Sequence, residues 1–118
     1  MPATFGASVA LAGSQVDIIE ASAAHAADGQ AAGRTLGPCR SIIFEEDVTV
    51  VGAGNVTLYY EYQGGDTKWY PLANSAVLAA VATSTTVISD PPPMLIRVRW
   101  DVSGGGNVTF SVKARQVY

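Results

Sequence analysis

Four segments after Arg40 alternate apolar and polar residues with a period of two. Ile42, Phe44, Val48 and Val50 share one parity, against Ile43, Glu45, Asp47 and Thr49. Val56, Leu58, Tyr60 and Tyr62 repeat the pattern against Thr57, Tyr59 and Glu61. Met94, Ile96, Val98, Trp100 and Val102 oppose Leu95, Arg97, Arg99 and Asp101. Val108, Phe110, Val112 and Ala114 oppose Thr109, Ser111, Lys113 and Arg115. A period of two sends successive side chains to opposite faces, which is the signature of half-buried antiparallel strands. No stretch beyond residue 40 carries a comparable helical period. Gly, Asn and Pro punctuate the strands at 52–55, 64–66, 73–75, 90–93 and 104–107, where tight turns need them. The expected fold is therefore all-β, an antiparallel β-sandwich, jelly-roll-like, of seven or eight strands. Its expected core is Phe44, Leu58, Tyr60, Ile96, Val98, Trp100, Phe110 and Val112.

The 118 residues suit a single domain. Residues 1–15 lack charge and a sustained period and read as a flexible N-terminal arm; residues 16–118 read as one sandwich domain. Between them, Val16 to Ala27 begins like a strand and continues through alanines that favour helix. Asp28-Gly29 and Gly33 make a strand running into a loop the better reading. Charged residues are only 14% of the chain, against about 25% in ordinary soluble domains. Monomers normally carry more surface charge to stay apart, so the composition points to a surface covered by neighbours and to a homo-oligomer.

The net charge of −3 argues against a general nucleic-acid binder. The longest low-charge stretch, Ser75 to Ser89, is too short and too rich in hydroxyls to span a bilayer, so no membrane is expected. The first 33 residues hold no Lys or Arg, hence no basic start to a signal peptide. The Asn-Val-Thr sequences at 55–57 and 107–109 then read as turn chemistry rather than glycan acceptors.

No catalytic constellation emerges, and no enzyme activity, metal or cofactor is expected. His25, the single histidine, reads as a solvent-exposed loop residue, and Cys39 as a plain buried or half-buried thiol. In Glu45-Glu46-Asp47, strand parity turns Glu46 against the other two. That makes a calcium site improbable and suggests one inward Glu bonded to a tyrosine hydroxyl. Tyr59 on the outward parity, and Trp69 and Tyr70 after the glycine turn, are candidates for stacking on a sugar or a partner, although one of Trp69 and Tyr70 packing on the core edge is the better reading.

Charge is also unevenly placed. Residues through Asp66 carry a net −6 and those from Thr67 a net +3. Gly52-Ala53-Gly54-Asn55-Val56-Thr57-Leu58 recurs as Gly104-Gly105-Gly106-Asn107-Val108-Thr109-Phe110, which suggests two similar hairpins. The first would set Glu45 across from Glu61 with Asp47 beside them. The second would set Arg97 across from Lys113, with Arg99 and Arg115 nearby. Like charges facing each other on a strand pair are unfavourable. Compensation is therefore expected, either with the hairpins side by side in one sheet or, preferably, between subunits.

Arg40-Ser41-Ile42-Ile43-Phe44, Asp47-Val48-Thr49 and Asn55-Val56-Thr57-Leu58 resemble early strands of small β-sandwich proteins of tailed-bacteriophage virions. The segment Gly64 to Leu72 is similar to theirs, as is the closing pair Ile96 to Val102 and Val108 to Val112. The resemblance covers roughly residues 16 to 117. It implies a non-enzymatic virion protein made in the host cytoplasm: a capsid decoration, minor capsid or spike protein that binds the major capsid protein or other virion subunits. The alternative is a carbohydrate- or receptor-binding accessory module of a phage tail or fibre, using a surface glycan.

Overall fold

A computed structural model describes residues 14–104 and 107–118. It contains nine strands: β1 (Ser14–His25), β2 (Gly29–Gln30), β3 (Arg34–Leu36), β4 (Ser41–Val51), β5 (Asn55–Gln63), β6 (Trp69–Asn74), β7 (Ala82–Ser89), β8 (Met94–Ser103) and β9 (Val108–Val117). Sheet A runs β1-β9-β4-β7, and sheet B runs β2-β8-β5-β6 with β3 also on β8. All strand pairs are antiparallel. With β2 and β3 sharing one position, these two four-position sheets have jelly-roll topology, as the alternation leads one to expect.

The core is the meeting of the inward parities. Phe44, Leu58, Tyr60, Val98, Phe110 and Val112 are fully buried, Ile96 is 1% exposed and Trp100 5%. Phe44 stacks on Tyr60 with ring centroids 3.9 Å apart, and Trp100 meets Phe110 edge-on at 5.4 Å. Both contacts join one sheet to the other, so they set how the two layers sit.

Several expectations need correction. Neither echo is a hairpin. The connection from β4 to β5 crosses from sheet A to sheet B, and that from β8 to β9 crosses back. The two glycine segments are arches packed side by side: Asn55 pairs with Ser103, and the Gly52 amide donates to the Asn107 carbonyl at 3.2 Å. Gly104 has φ +86°, and a Cβ there would stand 2.7 Å from the Ala53 carbonyl oxygen, so only glycine suits this crossing. The arches relieve the charge conflict that hairpins would create. As arches, β4 faces β9 and β5 faces β8, which sets Glu45 opposite Lys113 and Glu61 opposite Arg97. Unlike charges replace the like pairs that hairpins would have forced.

Val50, placed inward by parity, is 52% exposed, because the β4–β9 register shifts between Val48 and Val50. The segment from Val16 is strand through His25; pairing with β9 overrides the helical preference of its alanines. Ser14 and Gln15 already belong to β1, while the rest of the expected arm lies outside the described residues. His25 is not a loop residue. It ends β1, its side chain is 16% exposed, and its ring lies 4.5 Å from Trp100 and 4.6 Å from Phe110.

Candidate functional site

The expected interaction residues divide between the outer faces of the two sheets, apart from Tyr70. On sheet B, β5 presents Tyr59 and Glu61, β8 presents Arg97, Arg99 and Asp101, and β6 contributes Trp69. Cross-strand register sets Arg97 opposite Glu61 and Arg99 opposite Tyr59. Glu61 accepts from Arg97 Nε at 2.9 Å and from Arg99 Nε at 3.3 Å, and Arg99 Nη1 also donates to Asp101 Oδ1 at 2.8 Å. Two acids thus neutralise two guanidiniums along one strip.

The aromatics of this face are already engaged. The Arg97 guanidinium lies 4.2 Å from the Trp69 ring centre, and that of Arg99 lies 4.3 Å from Tyr59. The indole tip also reaches Gly33, where an added Cβ would be 3.0 Å from Trp69 Cη2. One π-face of each ring is therefore spent on a cation, whereas stacking on a sugar needs an open face. Replacing Arg97 by Met keeps the aliphatic stem and removes both the ion pair and the cation–π contact. Arg97→Met is expected to cost about 1–2 kcal/mol at low salt. The gap from the parent should narrow as salt screens the ion pair. Urea unfolding at two ionic strengths measures this.

Tyr70 stands apart, 38% exposed. Its hydroxyl donates to Asp66 Oδ2 at 2.5 Å, and its ring stacks on Tyr62 at 5.7 Å. That hydroxyl, with the Lys68 amide, holds the Asp66 carboxyl below the usual range, and Asp66 in turn pushes the Tyr70 phenol up. The arrangement closes the turn between β5 and β6.

On sheet A, Arg115 donates from Nε to Glu45 at 2.9 Å and from Nη1 to Ser14 Oγ at 3.0 Å. Lys113 lies opposite Glu45, and Asp47 one step further along β4 faces Ser111 and Thr83. A groove of about 530 Å³ runs here, lined by Glu45, Asp47, Thr83, Thr85, Ser111 and Lys113. The expected acidic and basic faces are thus two mixed faces, each with two acids and two bases; among the described residues all four are paired on sheet B, and only Glu45 and Arg115 on sheet A.

Glu46 is turned inward and 2% exposed. It accepts from Tyr60 at 2.5 Å, Ser84 at 2.6 Å and Thr86 at 2.8 Å, so the tyrosine bond read from parity is present. Ser84 and Thr86 were not legible as its partners, although hydroxyls at inward strand positions are the pattern that a buried carboxylate requires. Among the described residues, no three His, Cys, Asp or Glu side chains gather as a metal site would need. Cys39 is half-buried, with its thiol on the Ser41 carbonyl at 3.3 Å and its pKa raised by burial.

No family model matches the chain, and no curated protein matches it. Among solved structures, it is similar to a chain of infectious bursal disease virus, Gx strain, with TM-score 0.52 and 13% identity. That match covers 88% of this chain but only 31% of the viral one, so the domain spans about a third of its neighbour. The Gt strain of that virus gives TM-score 0.46 at 12% identity, over 88% of this chain and 32% of that one. A chain from the disulfide-linked pili of Bacillus endospore appendages gives 0.39 at 17% identity, over 87% and 90% of the two chains. The first likeness agrees with the sandwich fold described above.

Proposed function

We propose that this chain is a non-enzymatic structural subunit of a virion, of the tailed-bacteriophage kind, seated on coat subunits as a capsid decoration, minor capsid or spike protein. The observation that carries the reading is the jelly-roll sandwich itself, whose outer faces hold self-compensated charge. The sheet B face, where all four charges are paired, suits burial against a neighbour, because no unpaired charge must be stripped of water there. The fold likeness to a viral chain supports the same reading, as does the low charge content. The glycan-binding alternative is less favoured, because Tyr59 and Trp69 each already hold an arginine over one ring face.

Mass spectrometry of purified particles, with the chain quantified against the major capsid protein, tests the proposal. Hundreds of copies per particle are expected for a decoration protein, and a few to a dozen for a spike or vertex protein. Absence from particles that retain full infectivity overturns it.

A further inference from the structure

The free edges of the two sheets differ in how they resist a new strand. Unpaired edge N–H and C=O groups template another strand unless charge, proline, a bulge or brevity prevents it. One edge of sheet B is built from β2 and β3, two and three residues long. Its other edge, β6, carries Pro71 and a register shift against β5. In sheet A, β1 carries Asp17 and Glu20 and has two register shifts against β9. Strand β7 has none of these protections. Its sequence, Ala-Thr-Ser-Thr-Thr-Val-Ile-Ser, holds no charge, proline or glycine. It pairs with β4 through eight consecutive registers without a shift, and no described strand lies on its other side. Exposed apolar side chains gather on it and on the chain leading to it: Val77 at 62%, Val81 at 65% and Val87 at 54%. Ser84 and Thr86, bonded to Glu46 from the inner face, fix which face looks out.

We propose that β7 pairs antiparallel with β7 of a second copy of this chain, across a two-fold axis, joining two sheets A into one continuous sheet. Charge decides for a second copy. In a two-fold pairing the same strand lies on both sides, so a charged residue near the axis would meet its own like. β7 has no charged residue. Head-to-tail pairing of β7 with β1 is disfavoured, because the bulges of β1 break the run of hydrogen bonds that β7 offers. Faces must also match across the joint. With Thr85 on the axis, Thr83 lies opposite Val87 outside and Ser84 opposite Thr86 inside, which preserves both faces. The pairing follows from the edge and holds independently of a virion role.

Sedimentation velocity of the full chain with Cys39→Ser, which excludes disulfide dimers, is expected to show a reversible dimer of twice the 12.2 kDa chain mass. Thr85→Lys sets two ammonium groups together on the axis and is expected to weaken the dimer at least tenfold. Thr85→Glu should do the same. Mixing the two variants should restore dimers, since Lys then faces Glu. Ile18→Lys, on the opposite edge strand, should leave the dimer unchanged. Circular dichroism verifies that each variant is folded, and Thr85→Arg with Thr85→Asp is the substitute pair if either Thr85 variant is not. A parent that is monomeric throughout, a dimer indifferent to Thr85→Lys, or folded Lys and Glu variants that do not rescue each other overturns the proposal.

Discussion

Phe110→Ala is expected to cost about 3–5 kcal/mol, the range for truncating a buried phenylalanine. Phe110 is fully buried on β9, the strand between β1 and β4 in sheet A. It meets the Trp100 indole of sheet B edge-on, and the His25 ring lies 4.6 Å away. Its loss removes a contact that joins the two layers as well as apolar area. A domain of this size has about 5–15 kcal/mol in all, so the variant should approach the limit of folding. Urea denaturation checks it, and a Phe110→Leu variant should lose much less because most of the volume remains.

Raising the pH should destabilise the protein through Tyr60. Burial, followed by the charge of Glu46 and the bond to it, pushes the Tyr60 phenol far above its ordinary value of 10.0. In the unfolded chain the same phenol ionises near pH 10. A group whose folded pKa is raised contributes its full stability below the unfolded value and loses it as pH rises. The loss here begins near pH 10 and proceeds at about 1.4 kcal/mol per pH unit, or about 3 kcal/mol by pH 12. Tyrosinate absorbance should show Tyr60, one of five tyrosines, ionising only as the protein unfolds. Glu46→Ala should itself cost about 2–4 kcal/mol, since it leaves the buried Tyr60 hydroxyl without its acceptor and opens a cavity.

The core was legible because Phe44, Leu58, Tyr60, Ile96, Val98 and Phe110 obey strand parity without interruption. Strand β7 was not, and the reason is chemical. Its inward positions include Ser84 and Thr86, which serve Glu46, so no apolar alternation marks them. His25 was misread because its neighbours are alanines, whose small side chains leave no pattern to show which face the imidazole takes. The crossings from β4 to β5 and from β8 to β9 have the length of hairpin loops, and parity is the same for both. Only the like-charge conflict between Glu45 and Glu61, and between Arg97 and Lys113, distinguished arch from hairpin. It called for compensation, which the hairpin reading placed preferably between subunits, whereas the strands exchange partners inside one chain. Parity turns Tyr59 outward, but its pairing with Arg99, and that of Trp69 with Arg97, depends on register, which composition does not reveal.

The arches also govern the order in which this chain can be assembled in time. Of the seven strand pairings among the described residues, only β5 with β6 joins consecutive strands. Every other ladder must close a large loop first, a topology that folds in milliseconds to seconds rather than microseconds. Sheet A is the extreme case, because β9, the last strand, is what holds β1 to β4. Until β9 has left the ribosome, β1 has no partner and β4 has only β7, with open edges on both. A nascent chain stopped before Val108 therefore carries most of the apolar residues of the sandwich without the strand that buries them, and in that interval association with other chains competes with folding.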